Sequence, residues 1–176
     1  MLRRVAVAFL VAISTPSLAQ QSPEPSETTE KFGAWTVRCI SQQGDAGKAC
    51  EVFLAVQGQG GLIAQIAIGR SGEATLMASR TPLGVLVSEP VSIGLEGESQ
   101  ISFNLPFVTC LANGCLAQAT VSGDRLGDLA RRETATLGFA ERTGRKVRIN
   151  IPMSGLTDAL SRVGLDCSAG ACIPVE

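Results

Sequence analysis

Val108-Thr109-Cys110-Leu111-Ala112-Asn113-Gly114-Cys115-Leu116-Ala117-Gln118-Ala119-Thr120-Val121 decides how the rest of the chain is read. Asn-Gly is the pair a tight hairpin turn favours, because both residues tolerate positive φ and the turn's twist matches that of the flanking strands. The runs Val108 to Cys110 and Cys115 to Val121 therefore fold back on each other, with a cysteine on each side of the turn. Two themes follow: short paired strands, and sulfur placed to staple them.

The same grammar recurs outward from this hairpin. Trp35, Val37 and Cys39 alternate with Ala34, Thr36 and Arg38, so one face of that run can be buried, with Trp35 in the core. Cys50 to Val56 is a second run that pairs with the first. Leu62 to Ile68 follows the turn Gly58-Gln59-Gly60-Gly61, and Ala74 to Ser79 follows Gly69-Arg70-Ser71-Gly72. Thr81-Pro82-Leu83-Gly84 turns into Val85-Leu86-Val87, and Glu96-Gly97-Glu98-Ser99 separates Val91–Leu95 from Gln100–Leu105. Thr134–Ala140 and Lys146–Ile151 are joined by Glu141-Arg142-Thr143-Gly144-Arg145. In the second of these, Val147, Ile149 and Ile151 face inward while Lys146, Arg148 and Asn150 face water. Many short strands between turn signals predict an all-β domain, a two-sheet sandwich or a barrel. Two short helices are expected among the strands. Asp124–Glu133 has carboxylates early and arginines late, which suits the helix macrodipole; Ser154 caps a second helix running to Val163, with Gly164 as its stop.

The six cysteines fall into three close couples, and local pairing is expected: Cys39 with Cys50, Cys110 with Cys115, and Cys167 with Cys172. Loop closure assigns about 2–3 kcal/mol to each such short loop. A zinc site wants C-x-x-C couples or histidine partners, and the chain has no histidine. A thioredoxin-like site wants C-x-x-C at a helix start, which four intervening turn residues do not supply.

The amino terminus reads as a secretory signal. Arg3 and Arg4 precede the apolar run Val5 to Ile13, and Ser17-Leu18-Ala19 puts small residues where a signal peptidase cuts. That run is about half the roughly 20 residues a membrane span needs. The expected division is therefore a signal over 1–19, a disordered acidic and proline-bearing leader over 20–30, a β-sandwich domain over 31–165, and a tail with its own disulfide over 166–176. No integral membrane segment is expected after cleavage. Disulfides behind an export signal place the domain in the periplasm, on the cell surface or outside a Gram-negative cell.

Of 15 basic and 16 acidic residues, loss of Arg3 and Arg4 leaves 13 against 16. That balance argues against nucleic acid as a partner, since phosphate contacts need clustered positive charge. One basic cluster does stand out: Arg131, Arg132, Arg142, Arg145 and Arg148 read either as a solvated face around a hairpin or as the candidate residues for docking an acidic protein partner in the envelope or on a host cell, or anionic lipid head groups. Catalytic groups are scarce. Without histidine no Ser-His-Asp or Cys-His arrangement exists, and without tyrosine no phenol can act as acid or nucleophile. Asp124 and Asp128 lie one turn apart, but Arg125, Arg131 and Arg132 crowd them and they read as a solvated helix start. No phosphate-cradling loop or dinucleotide fingerprint occurs. The expectation is a non-enzyme with no cofactor and no metal. An interaction module leads, with a small-ligand carrier or a thiol redox protein as alternatives.

Five segments carry a resemblance. Phe32-Gly33-Ala34-Trp35-Thr36-Val37-Arg38-Cys39, the Cys50 strand ending at Gln57, Thr81-Pro82-Leu83-Gly84-Val85, Cys110 to Ala117, and Ile149 to Leu160 stand in the order found in the invasion-associated locus B family. The resemblance spans Phe32 to Val163. It implies an exported alphaproteobacterial protein with an immunoglobulin-like β-sandwich and, in some pathogenic members, a contribution to invasion of host cells. It implies no catalytic residues, so only the paired cysteines carry over, and the Cys167–Cys172 tail lies beyond the shared pattern.

Overall fold

The computed structural model describes residues 26–41, 48–95 and 98–175. The expected signal (1–19), the expected leader up to residue 25, the segments 42–47 and 96–97, and residue 176 lie outside the described residues. The elements are β1 (Ser26–Phe32), β2 (Trp35–Ser41), β3 (Lys48–Gly58), β4 (Gly61–Ser71), β5 (Ala74–Thr81), β6 (Val91–Leu95), β7 (Glu98–Leu105), β8 (Phe107–Leu111), β9 (Gly114–Val121), α1 (Gly123–Ala130), β10 (Thr134–Ala140), β11 (Lys146–Pro152), α2 (Leu156–Arg162), β12 (Leu165–Asp166) and β13 (Ile173–Pro174). No helix among the described residues is long and apolar enough to cross a membrane.

β1 to β5 meander into one antiparallel sheet. The chain then crosses to a second sheet for β6 and β7. It returns to lay β9 against β5 with β8 at the edge, and crosses again to place β10 beside β6 with β11 outside it. The orders are β1-β2-β3-β4-β5-β9-β8 and β11-β10-β6-β7. This is an immunoglobulin-like β-sandwich. Alternation sends Trp35, Val37, Val52, Leu54, Ile66, Ile68 and Met77 into the core from the large sheet. Val91, Ile93, Phe103, Leu105, Leu137, Phe139 and Ile151 enter it from the small one. Leu126 and Leu129 of α1 and Leu156, Ala159 and Leu160 of α2 extend the same cluster.

Trp35 is fully buried, and its indole Nε1 donates to the Pro152 carbonyl at 3.0 Å, tying β2 to the end of β11. The cysteine couples that the spacing picks out are paired. Cys39 and Cys50 stand directly opposite on β2 and β3, and Cys110 and Cys115 directly opposite on β8 and β9. Cys167–Cys172 closes the loop between β12 and β13.

Three expectations are corrected. Ser26–Glu30 belongs to β1 and not to a disordered leader: an edge strand needs only backbone pairing with β2, and its side chains stay exposed. The segment after residue 165 has its own disulfide as expected, and Cys167 and Cys172 are buried in the core cluster. Ser154 does not cap α2. Its carbonyl accepts the Ala34 N–H, and Gly155 starts the helix at φ +85°, which L side chains avoid. Val85-Leu86-Val87 forms no strand, only a bridge from Val85 to Glu141 and a bond from the Leu86 N–H to the Ala140 carbonyl.

The C-terminal loop docks on α1 by close backbone approach. The Cys172 N–H donates to the Gly123 carbonyl at 2.9 Å. A Cβ on Gly127 would stand 2.0 Å from the Gly170 carbonyl oxygen, and one on Gly123 would stand 2.1 Å from that of Cys172. Gly127→Ala is therefore expected to lower stability by about 1–3 kcal/mol through overpacking. Gly60→Ala, whose Cβ would meet no atom within 4 Å, should be near neutral in the same thermal melts. Replacing Cys167 and Cys172 together by alanine should cost about 2–3 kcal/mol in denaturant titrations, the closure entropy of a short loop.

Candidate binding surfaces

The five arginines singled out from the sequence divide between two places. Arg131 ends α1, where its side chain bonds Asp128 and the Gly170 carbonyl and so clamps the C-terminal loop. Half-buried Arg132 follows it. At the other end of the β10–β11 hairpin, roughly 20 Å away by strand rise, lie Arg142, Arg145 and Arg148. Arg142 and Arg148 are exposed, and neither guanidinium has a partner among the described residues. Arg145 donates from Nε to a Glu141 carboxylate oxygen at 2.8 Å and from Nη2 to the other. Neighbouring Lys146 pairs with Glu89. Arg142, Arg145 and Arg148 thus share one hairpin, and Arg131 has a structural post.

The Arg145 guanidinium, by hydrogen bond and charge, holds the Glu141 carboxyl below its ordinary value. The consequence for pH has a definite sign. A depressed folded-state pKa contributes stability above the unfolded value of about 4.3, and that contribution is lost as pH falls through the depressed value. In an NMR titration, Arg145→Gln should move the Glu141 midpoint back up toward the ordinary carboxylate range, and an unmoved midpoint would contradict the pairing.

Beside this hairpin the sandwich is open. The β3–β4 turn, the Pro82–Val85 loop and the ends of β10 and β11 surround a cleft of about 650 Å³. Its walls are apolar, from Leu62, Ile63, Leu83, Val85, Phe139 and Val147, and the Glu141–Arg145 pair stands among them. The turn at Gly58–Gly61 and the Thr81–Val85 segment, both noted in the sequence, meet here.

A second surface was missed by the sequence reading. On the outer face of the large sheet, Ala67 of β4 pairs with Ala78 of β5, and Gly69 pairs with Leu76. These small residues floor a trough of about 310 Å³, flanked by Ile40, Ala49 and Leu76 and continued by a smaller hollow beside Leu116. Arg38, Arg70 and Arg80 line it against the single carboxylate of Glu51. Arg38 bonds Glu51, its guanidinium lies 5.5 Å from the centre of the Phe53 ring, and its Nε is buried without a partner. Arg80 has no partner among the described residues. The available signal was the alternation itself: positions assigned to solvent carry Ile40, Phe53, Ala67, Leu76, Ala78 and Leu116, so those strands are apolar on both faces.

No three histidine, cysteine, aspartate or glutamate side chains gather as metal ligands among the described residues.

Comparison with known proteins agrees with the architecture. Residues 35–164 match the family described as invasion associated locus B (IalB) protein. Invasion protein B of Bartonella bacilliformis is 26% identical over 158 residues, covering 86% of this chain and 83% of that protein. The crystal structure of invasion associated protein b from Bartonella henselae superposes with a TM-score of 0.67 at 17% identity, over 77% of this chain and 94% of the other. At that identity the superposition speaks for the fold, while the sequence match runs from Trp35 in β2 to Gly164, two residues past α2, and takes in both sheets. The chain belongs to the invasion associated locus B family.

Proposed function

We propose that this protein is exported and works outside the cytoplasm as a non-enzymatic binding protein, receiving an acidic segment of an envelope or host-cell protein on the outer face of its large sheet. The export signal read at residues 1–19 and the three disulfides support the location, because such bonds persist in oxidising compartments. A part in host-cell invasion, which the Bartonella relative carries in its name, is extended to this chain as part of the same reading.

The trough is the observation that carries the proposal. It joins an alanine- and glycine-floored apolar surface to three arginines facing one carboxylate. Apolar floor supplies area to bury, while arginine supplies charge and hydrogen bonds, and is enriched where interfaces concentrate their energy. A thiol-exchange role fits less well. Two of the pairs bind directly opposite residues of neighbouring strands, and the third fastens a loop to α1, so opening any of them loosens the fold.

A second docking reading has its own observation, the unpartnered Arg142 and Arg148 near the hairpin turn. Exposed charges of this kind steer encounters more than they hold partners. Photo-crosslinking in the producing cell separates the two. A crosslinker at Ala78 should capture a specific partner, and Arg80→Glu with Arg70→Glu should cut capture about tenfold, more steeply at low salt. Capture only from position 148, indifferent to Arg80→Glu, would move the site to the hairpin.

A further inference from the structure

The cleft between the sheets asks for a different kind of occupant. We propose that it binds a small amphipathic anion, a molecule with a flexible apolar body and one carboxylate-like end, of the long-chain fatty-acid class. This site shares no residue with the trough, so it stands or falls independently of partner docking.

Size and lining come first. A volume of about 650 Å³ falls within the roughly 300–1,000 Å³ of small-molecule sites, and such sites are mostly apolar with a few placed polar groups. Here Phe139 and Val147 come from the small sheet, and Leu62 and Ile63 from the start of β4 in the large one, so the occupant lies between layers. Glycine keeps the space clear. At Gly60, Gly61 and Gly84 nothing lies within 4 Å of where a Cβ would stand. Leu83 leaves 58% of its surface in solvent, a large apolar side chain on the cleft lining with part of its area still to be covered.

Charge selects the head group. The one carboxylate lining the cleft, Glu141, is already satisfied by Arg145 through Nε and Nη2, which leaves the guanidinium's Nη1 unused among the described residues. Arg142 is anchored next to the cleft by its backbone N–H on the Gly84 carbonyl at 2.8 Å, and its side chain has no partner among the described residues. An anionic end placed there meets the unused Arg145 Nη1, with the long Arg142 side chain in reach from its backbone anchor on Gly84 and the Glu141 carboxylate already neutralised. A cationic end finds that carboxylate taken, and a neutral end gains nothing from either arginine. An apolar chain running inward from that end covers Leu83 and fills the gap between the layers.

The test is a titration of the purified, disulfide-intact protein with dodecanoate, dodecanol and dodecyltrimethylammonium, followed by amide NMR shifts. Dodecanoate should give saturable shifts at Gly60, Gly84 and Val147, and bind at least tenfold more tightly than the cationic amphiphile. Arg142→Glu combined with Arg145→Gln should weaken dodecanoate about tenfold and leave dodecanol unchanged. Leu83→Asp, at an exposed position that the fold does not need, should weaken both. Equal affinity for all three amphiphiles, shifts confined to Ala67 and Ala78, or no saturable shift would each overturn the proposal.

Discussion

The indole of Trp35 is where the two layers are held in register. Its ring is fully buried in the common core, and its one polar atom reaches the Pro152 carbonyl at the end of β11, so burial and hydrogen bonding act at one point. Around it the backbone closes further: Ala34 bonds the Ser154 carbonyl, and α2 packs over β1, β2 and β3 from the turn that follows β11. The family match begins at this tryptophan. The rest of the sandwich can be described by its distance from this clamp.

Sulfur does a different job. Each of the two disulfides in the large sheet joins strands that already pair, and the third closes the C-terminal loop against α1. None of the three spans the two sheets. Adhesion between layers therefore depends on apolar packing, with Val, Ile and Leu supplying most of the buried surface and few aromatic rings among them. Layers joined in this way can separate at one end without breaking a covalent bond. That is where the cleft is found, beside the β3–β4 turn and the β10–β11 hairpin, where backbone bonds tie Gly84–Leu86 to Ala140–Arg142.

The positive charge of a mildly acidic protein is spread over distinct surfaces with distinct neighbours. Arg131 is consumed in holding the C-terminal loop. Arg38, Arg70 and Arg80 border an apolar floor on the large sheet, while Arg142 and Arg145 stand beside the opening between the layers. What each arginine can do follows from its surroundings more than from its own charge. Over alanines it frames a surface for burial, and beside a carboxylate it is half spent.

Local chemistry made much of this legible in advance. The Asn113-Gly114 turn, the period-two runs and the three close cysteine couples each depend on residues a few positions apart, and the strands and sulfur pairs follow from them. Long-range contact decided the rest. β1 forms from Ser26–Glu30, which look like polar linker, because β2 offers them an edge to pair with. Ser154 loses its capping role because the N-cap position falls one residue later, on Gly155 at φ +85°, where the chain passes close to Phe32 and Gly33. The trough exists because Ala67 and Ala78 fall opposite each other in register, and the cleft because Leu62, Leu83 and Phe139 come from three distant segments. The amino-acid order by itself set which residues alternate, turn and cross-link, since those are properties of near neighbours. Only the folded chain set which faces remain uncovered, since that depends on which layer arrives above them.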